Sequence, residues 1–215
     1  MNSPSDLSHP RFARAYLRYA QQADRAGVLE HRRRLLDGLH GTVAEIGAGQ
    51  GLNFPHYPST VVKVTAIEPE PTLRAAAEHA AGQSPVPVVV SPGTAEALPL
   101  PAGSVDAAVV SLVLCSVPDQ RRALDELHRV IRPSGELRFY EHVIPHGHPL
   151  RLFLQLADHS GLWPKLAGGC HPARDTEAAI AAYFEIESRE TLMFSPSRLE
   201  PRIPHILGRA RRLSR

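Results

Sequence analysis

An α/β fold is what this sequence predicts, and three observations predict it. Strand-like apolar runs alternate with helix-like segments and short turns along most of the chain. That is the pattern of units whose strands lie parallel in one sheet with helices on both faces. The first unit ends in Val43-Ala44-Glu45-Ile46-Gly47-Ala48-Gly49-Gln50-Gly51. Here an apolar strand runs into three alternating glycines, as a buried parallel strand does when it turns sharply under a ligand lying against the main chain. Ala107 to Leu112 is almost wholly apolar, as expected of a central parallel strand covered on both faces. Together these predict a Rossmann-like, doubly wound, mostly parallel seven-stranded sheet with an antiparallel last strand.

Bulk properties bound the rest. A chain of 215 residues fits one domain with a full core, so 1–215 is read as a single unit. Residues 1–40 are its N-terminal helical lid and 149–172 a helical insertion near the pocket. Hydrophobic content of 43% and charged content of 21% are ordinary for a globular protein. A net charge of +2 is too weakly basic to argue for nucleic acid. Arg32-Arg33-Arg34 and the tail Arg209, Arg211, Arg212 and Arg215 are solvated surface, or else contact an anionic lipid or acidic substrate. Two cysteines, Cys115 and Cys170, exclude a disulfide scaffold and cannot by themselves form a metal framework. Met1 to Pro10 is polar and shows no signal peptide. No apolar run reaches the ~18 residues needed to cross a bilayer; Leu150 to Ala157 is interrupted by Arg151 and Gln155. The expectation is a cytoplasmic monomer or homodimer acting on a small molecule, with no nucleic-acid partner and no transmembrane segment.

The elements follow in order. Residues 11–38 read as helix, with Phe12, Tyr16, Tyr19, Leu29, Leu35 and Leu36 at helical spacing and Gly27 as a break. Tyr16 and Tyr19 are either lid residues over a ligand mouth or packing aromatics. Strand one is Thr42 to Ile46. Strand two, Val61 to Ile67, ends in Glu68-Pro69. A carboxylate there sits at the carboxyl edge of the neighbouring strand, placed to accept from two ribose hydroxyls. Residues 70–82 form an Ala-rich helix. Strand three, Val86 to Val90, leads to Thr94-Ala95-Glu96. The turn Pro101 to Asp106 feeds strand four, whose end continues as Leu112-Val113-Leu114-Cys115-Ser116-Val117. Helix 119–131 and the turn Arg132-Pro133-Ser134-Gly135 precede strand five, Glu136 to Val143, which emerges at Glu141-His142. Residues 149–168 make an apolar helical excursion and 174–182 another helix. The last strands are Phe184 to Glu190 and Ile203 to Ala210, joined by the Pro-rich loop Phe194 to Pro204.

The glycine spacing separates ligands. A dinucleotide fingerprint needs glycine at 47, 49 and 52, but position 52 is Leu and the third glycine is Gly51. A Walker loop would need Gly-Lys-Ser/Thr, which is absent. The stretch closely resembles the E/D-x-G-x-G-x-G loop of class I S-adenosylmethionine (SAM) methyltransferases. Gly103-Ser104-Val105-Asp106, Leu112 to Val117, Arg129 to Gly135 and Glu141-His142-Val143 extend the resemblance to the methyltransferase-11 type. Trp163, Gly169-Cys170 and Arg202-Ile203-Pro204-His205-Ile206 make it most similar to the methyltransferase-like 7, or alkyl thiol methyltransferase, group. The resemblance covers about Val43 to Ala210. It departs in two places. Ser134 replaces the usual first glycine of R-P-G-G, and the membrane-anchoring helix that opens human members is not seen in this sequence, so membrane residence is not carried over.

The resemblance implies SAM as cofactor, with S-adenosylhomocysteine as product. Glu45, Gly47, Gly49, Gly51 and Asn53 would shape the cofactor loop, and Glu68 with Pro69 would meet the ribose. Thr94, Ala95 and Glu96 would lie at the adenine end; the family's Asp at this loop is replaced by Thr94. Leu112, Val113 and Leu114 would lie beneath the methionine part. The preferred acceptor is a thiol, which needs little acid–base help because it is already partly ionised near neutral pH. A phenol or quinone-type acceptor is the alternative and would benefit from a positioned base; so is a non-catalytic SAM-fold binding module. His142 is the candidate base, or else a histidine hydrogen-bonded at a strand end. Its neighbours His146 and His148 lack a carboxylate or Cys complement for a metal, so no metal is assigned. Cys115 is read as a small apolar filler. Tyr16, Tyr19, Cys115, His142, Trp163, His171, Phe194 and His205 are the candidate walls of the acceptor pocket.

Overall fold

The computed structural model describes residues 10–144, 150–161, 163, 169–196 and 202–213. Its elements are α1 (Pro10–Ala23), a π-helical segment (Asp24–Val28), α2 (Leu29–Leu36), β1 (Gly41–Ile46), β2 (Val61–Ile67), α3 (Pro71–Ala81), β3 (Val88–Ser91) and β4 (Val105–Ser111). Then come α4 (Gln120–Val130), β5 (Ile131–His142), α5 (Leu150–His159), α6 (Thr176–Ala181), β6 (Phe184–Phe194) and β7 (Ile203–Arg212). One seven-stranded sheet takes the order β3-β2-β1-β4-β5-β7-β6. The first five strands pair in parallel, and β7 runs antiparallel to both neighbours. The order reverses between β1 and β4, and in open α/β sheets the ligand crevice lies outside the carboxyl ends of the strands at that switch point.

Strand alternation builds a core on each face. Ala44, Ile46, Ala108, Val110 and Phe139 pack with Leu124 and Leu127 of α4. Val43, Ala107, Val109 and Tyr140 pack with Leu35 and Leu36 of α2 and with Phe54. Both middle strands are therefore largely apolar, because water reaches neither face; buried Glu45 in β1 is the exception that serves the site. The starts of α3 and α4 carry side-chain caps. The Asp119 carboxylate accepts from Arg122 N–H before α4, and the Glu70 carboxylate accepts from Leu73 N–H before α3, which opens on Pro71.

Several expected boundaries move for local reasons. The single helix 11–38 divides at the π-helical segment, where Gly27 sits at φ 131°, a value that side-chain-bearing residues rarely adopt. Strand three starts at Val88 rather than Val86, since Pro87 has no N–H to give the ladder. Strand five starts early: Ile131 pairs with Val105, residues 132–135 bulge out with Ser134 at φ 63°, and pairing resumes at Glu136. The excursion at 149–168 is helical over Leu150–His159; much of its remainder lies outside the described residues, as do His146 and His148. Strand six runs on to Phe194, which carries that ring to the carboxyl edge of the sheet.

Candidate active site

The first half of the site hangs from the end of β1. Glu45, 3% exposed, accepts from Asn53 Nδ2 at 2.9 Å and Tyr57 Oη at 2.7 Å. Asn53 in turn accepts from Arg32 Nη1 at 3.0 Å, and Arg32 pairs with Asp24 at 2.8 Å. Burial pushes the Glu45 carboxyl up to about 7, against the pull of the Tyr57 and Asn53 hydrogen bonds. The glycine loop then turns with Gly47 at φ 66°, Gly49 at 57° and Gly51 at 78°. These angles favour glycine, and space requires it too. A Cβ on Gly47 would lie 2.6 Å from Val113 Cγ2, and one on Gly51 2.6 Å from Phe54 Cε2.

Glu68, at the end of β2, is 4% exposed. One carboxylate oxygen accepts from Gly49 N–H at 2.8 Å, the other from Glu70 N–H at 2.9 Å. Burial pushes Glu68 up to about 7, opposed by those two backbone bonds. Pro69 turns its carbonyl to Arg74 Nη1. Tyr16, Glu45, Gly47, Gly49, Asn53 and Ser111 line a cleft of about 280 Å³ including its open mouth. Gln50 Nε2 donates to Leu17 O at 3.1 Å, which ties the glycine loop to α1. Tyr16 faces Gly49 from α1, its Cε1 3.5 Å from where a Cβ on Gly49 would stand, and burial raises its phenol. Tyr19, 44% exposed, stands at the rim of α1. Thr94 forms an isolated bridge with Ala97, and Ala95 is buried. Glu96 is engaged away from the glycine loop, accepting from Asp119 N–H at 3.4 Å while its carbonyl takes Arg122 Nε.

The second half hangs from β4 and β5, and sequence reasoning missed its central support. Glu141 is fully buried and accepts from the N–H groups of Val113 (2.9 Å), Leu114 (3.0 Å) and Cys115 (3.1 Å). Burial pushes it up to about 7, opposed by these three bonds. They hold the loop after β4, which starts with Leu112 at φ 60°. An acid in a strand with buried residues on either side is the available signal; the sequence reading gives a role only to its neighbour His142.

Cys115 and Cys170 converge on His142. The Sγ–Nδ1 distances are 3.5 Å and 3.2 Å. The Cys115 thiol donates to the Cys170 sulfur, which raises Cys115 and lowers Cys170, and His142 lowers Cys170 further. Cys115 is thus part of a polar cluster rather than apolar filler. The His205 ring lies 4.4 Å from that of His142 and stacks on Tyr140 at 5.0 Å. Its Nδ1 meets Ile203 O at 2.8 Å, and burial, then His142, keep it neutral. Phe194 abuts His205 edge-on. His171 is set back: its N–H donates to Cys115 O and its Nδ1 pairs with Asp158 at 2.7 Å. The buried indole N–H of Trp163 has no hydrogen-bond partner short of the Cys170 sulfur it adjoins.

Comparison with known proteins fits this geometry. Residues 44–139 match the family described as "Methyltransferase domain". Human thiol S-methyltransferase TMT1B is 36% identical over 185 residues, covering 81% of this chain and 73% of that protein. A SAM-dependent methyltransferase of Thermotoga maritima, described as a possible histamine N-methyltransferase, superposes with a TM-score of 0.69 at 23% identity, over 94% of this chain and 97% of that one. A geranyl diphosphate methyltransferase solved in complex with SAM gives a TM-score of 0.66 at 16% identity, over 89% and 85% of the two chains. The two structural likenesses show a shared fold. The chain is a methyltransferase of the Rossmann-like class. It belongs to the family that contains the thiol S-methyltransferase TMT1B.

Proposed function

We propose that this enzyme moves a methyl group from SAM to the sulfur of a small thiol, with Glu45, the three loop glycines and Glu68 holding the cofactor. The residues fit that group. The cradle at Gly47 and Gly49 is one that a side chain would fill. Each Glu68 oxygen uses one acceptor position on a backbone N–H, and a carboxylate offers about four in all, so two are left for the ribose hydroxyls. When bound, SAM supplies an electrophilic methyl on a positively charged sulfonium. The chain's own contribution is alignment: a fixed loop after β4, held by Glu141, and an acceptor wall of Cys115, His142, Cys170 and His205. Holding a nucleophile in line replaces a bimolecular encounter by a near-unimolecular one.

The observation that carries the thiol reading is the similarity to thiol S-methyltransferases over four-fifths of the chain, which includes the segments bearing Cys115 and His142. Chemistry agrees with it. A thiol of ordinary pKa, about 8.5, is a few per cent ionised at neutral pH and needs no strong base. His142 Nδ1 faces two sulfurs, which leaves Nε2 as the ring atom able to take a proton from an acceptor. That atom, for which no hydrogen-bond partner is found among the described residues, is what favours the second reading, a phenol or quinol acceptor deprotonated by His142. Release of S-adenosylhomocysteine from labelled SAM, measured against small thiols, phenols, quinols and amines, decides between them. Turnover with thiols is the expected result. Turnover with phenols or quinols alone supports the second reading. Tight SAM binding without turnover on any class refutes both.

A further inference from the structure

We propose that Cys115, His142 and Cys170 bind a thiophilic divalent cation, zinc, and that its fourth position receives the acceptor thiol as thiolate. The three donor atoms lie within 4.8 Å of one another. A tetrahedral zinc with bonds of about 2.3 Å to sulfur and about 2.05 Å to nitrogen has S···N edges of about 3.6 Å. The observed separations of 3.5 Å and 3.2 Å are close to those edges, so an ion is accommodated by small side-chain shifts. Two cysteines and one histidine are a donor set used at catalytic zinc centres, where three protein ligands leave one place open. Soft sulfur donors select zinc over the hard, oxygen-seeking cations.

The cluster is built rather than incidental. Its members come from three separate segments: the loop after β4, the end of β5, and the stretch before α6. Glu141 pins the Cys115 loop through three N–H groups. His171 N–H ties the Cys170 stretch to Cys115 O at 2.8 Å. Gly169, at φ 88°, permits this approach, since a Cβ there would lie 3.0 Å from Ser116 O. The buried Trp163 N–H adjoins the Cys170 sulfur. Cys115 and Cys170 are both buried and His142 is partly exposed, so the cluster has a closed side and an open one.

The use of the fourth position rests on the thiol reading above; ion binding itself does not. Entry of the acceptor is a ligand exchange. The S–H bond breaks, a sulfur–zinc bond forms, and the proton leaves with the displaced water. The sulfur is then held as an anion at the carboxyl ends of β4 and β5, beside the glycine cleft.

The test uses the full chain, reduced and treated with chelator. Zinc is titrated in competition with a chromophoric chelator, and cobalt(II) is titrated while thiolate-to-metal charge-transfer absorption is followed. One ion per chain with that absorption is expected. His142→Ala and Cys170→Ser should each lower zinc affinity by more than the roughly 10–100-fold typical of outer-sphere changes, with melting temperature and S-adenosylhomocysteine affinity retained. Should either variant fail to fold, cobalt absorption of the native chain, with and without prior Cys115–Cys170 oxidation, replaces it. No charge-transfer absorption in the reduced chain, or zinc affinity unchanged by the substitutions, overturns the site. Thiol turnover undiminished in zinc-free enzyme overturns the fourth-position role and leaves the thiol reading standing. Zinc bound with full stoichiometry but no thiol turnover does the reverse: the ion site stands and the acceptor reading fails.

Discussion

Replacing Glu68 by alanine is expected to weaken S-adenosylhomocysteine binding about 100-fold. In the free protein one carboxylate oxygen accepts from Gly49 N–H at 2.8 Å and the other from Glu70 N–H at 2.9 Å. Two acceptor positions remain for the two ribose hydroxyls. Hydrogen bonds to a charged group contribute about 1.5–3 kcal/mol each. The lower figure for both gives about 3 kcal/mol, or roughly 100-fold at 1.4 kcal/mol per decade. The same group sets a pH dependence. Burial holds the free Glu68 carboxyl up at about 7, whereas hydroxyl donors favour its ionised form, so binding expels a proton. Affinity should therefore rise with pH up to about 7, by as much as tenfold per unit, and level off above it. Glu68→Gln keeps the shape and one acceptor oxygen. It should lose about tenfold and flatten the profile. Isothermal titration at about pH 6, 7 and 8, with thermal melts as a check on folding, measures all of this. A folded Glu68→Ala variant binding within threefold of the native chain, or native affinity falling as pH rises over that range, would refute the assignment.

Three further outcomes follow from single contacts. Glu141→Gln retains one acceptor oxygen but turns an amide N–H toward one of the three backbone donors, Val113, Leu114 and Cys115. It should cost about 1–3 kcal/mol in chemical denaturation. Because the native carboxyl is raised from its usual value to about 7, the folded state binds the extra proton, and that stabilisation is lost as pH climbs from about 4.5 to 7. The deficit of Glu141→Gln should therefore narrow over that range. Gly47→Ala puts a Cβ 2.6 Å from Val113 Cγ2 at φ 66°. Strain of about 1–3 kcal/mol and at least a tenfold loss of S-adenosylhomocysteine affinity are expected, read by melting and titration. Tyr57→Phe leaves one buried Glu45 oxygen without its donor, which should cost about 1–3 kcal/mol and lower the melting temperature by roughly 2–12 °C, with cofactor affinity changed far less.

The fold was legible in the chain because its signals are local. The apolar run within β4 and the alternating glycines each report on a few neighbouring residues and stand where the sequence pattern places them, whereas the turn expected before strand five is a bulge inside it. Boundaries shifted where one residue overrides a pattern: Pro87 shortens β3, and Gly27 converts a helical run into α1, a π-helical segment and α2. The glycine cradle was legible for the same reason. Its close approaches involve side chains that the sequence cannot position, yet positive φ alone already demands glycine there.

The acceptor side was not legible, and the reason is physical rather than a want of motifs. Cys115, His142 and Cys170 were each visible as residues, but they stand 27 and 28 positions apart and only the tertiary fold brings them together. β5 must lie beside β4, and the stretch before α6 must fold back over the β4 loop through the His171–Cys115 backbone bond. Taken singly, each cysteine reads as a small buried apolar residue, and His142 as a histidine ending a strand. Glu141 turns that loose arrangement into a defined one, since its single carboxylate engages the N–H groups of Val113, Leu114 and Cys115 together. An ionisable group buried in the core is costly unless several donors satisfy it, and in this loop three do. The expense of keeping Glu141 in the core is therefore the clearest sign that the position of Cys115 is specified by the fold and not left to packing.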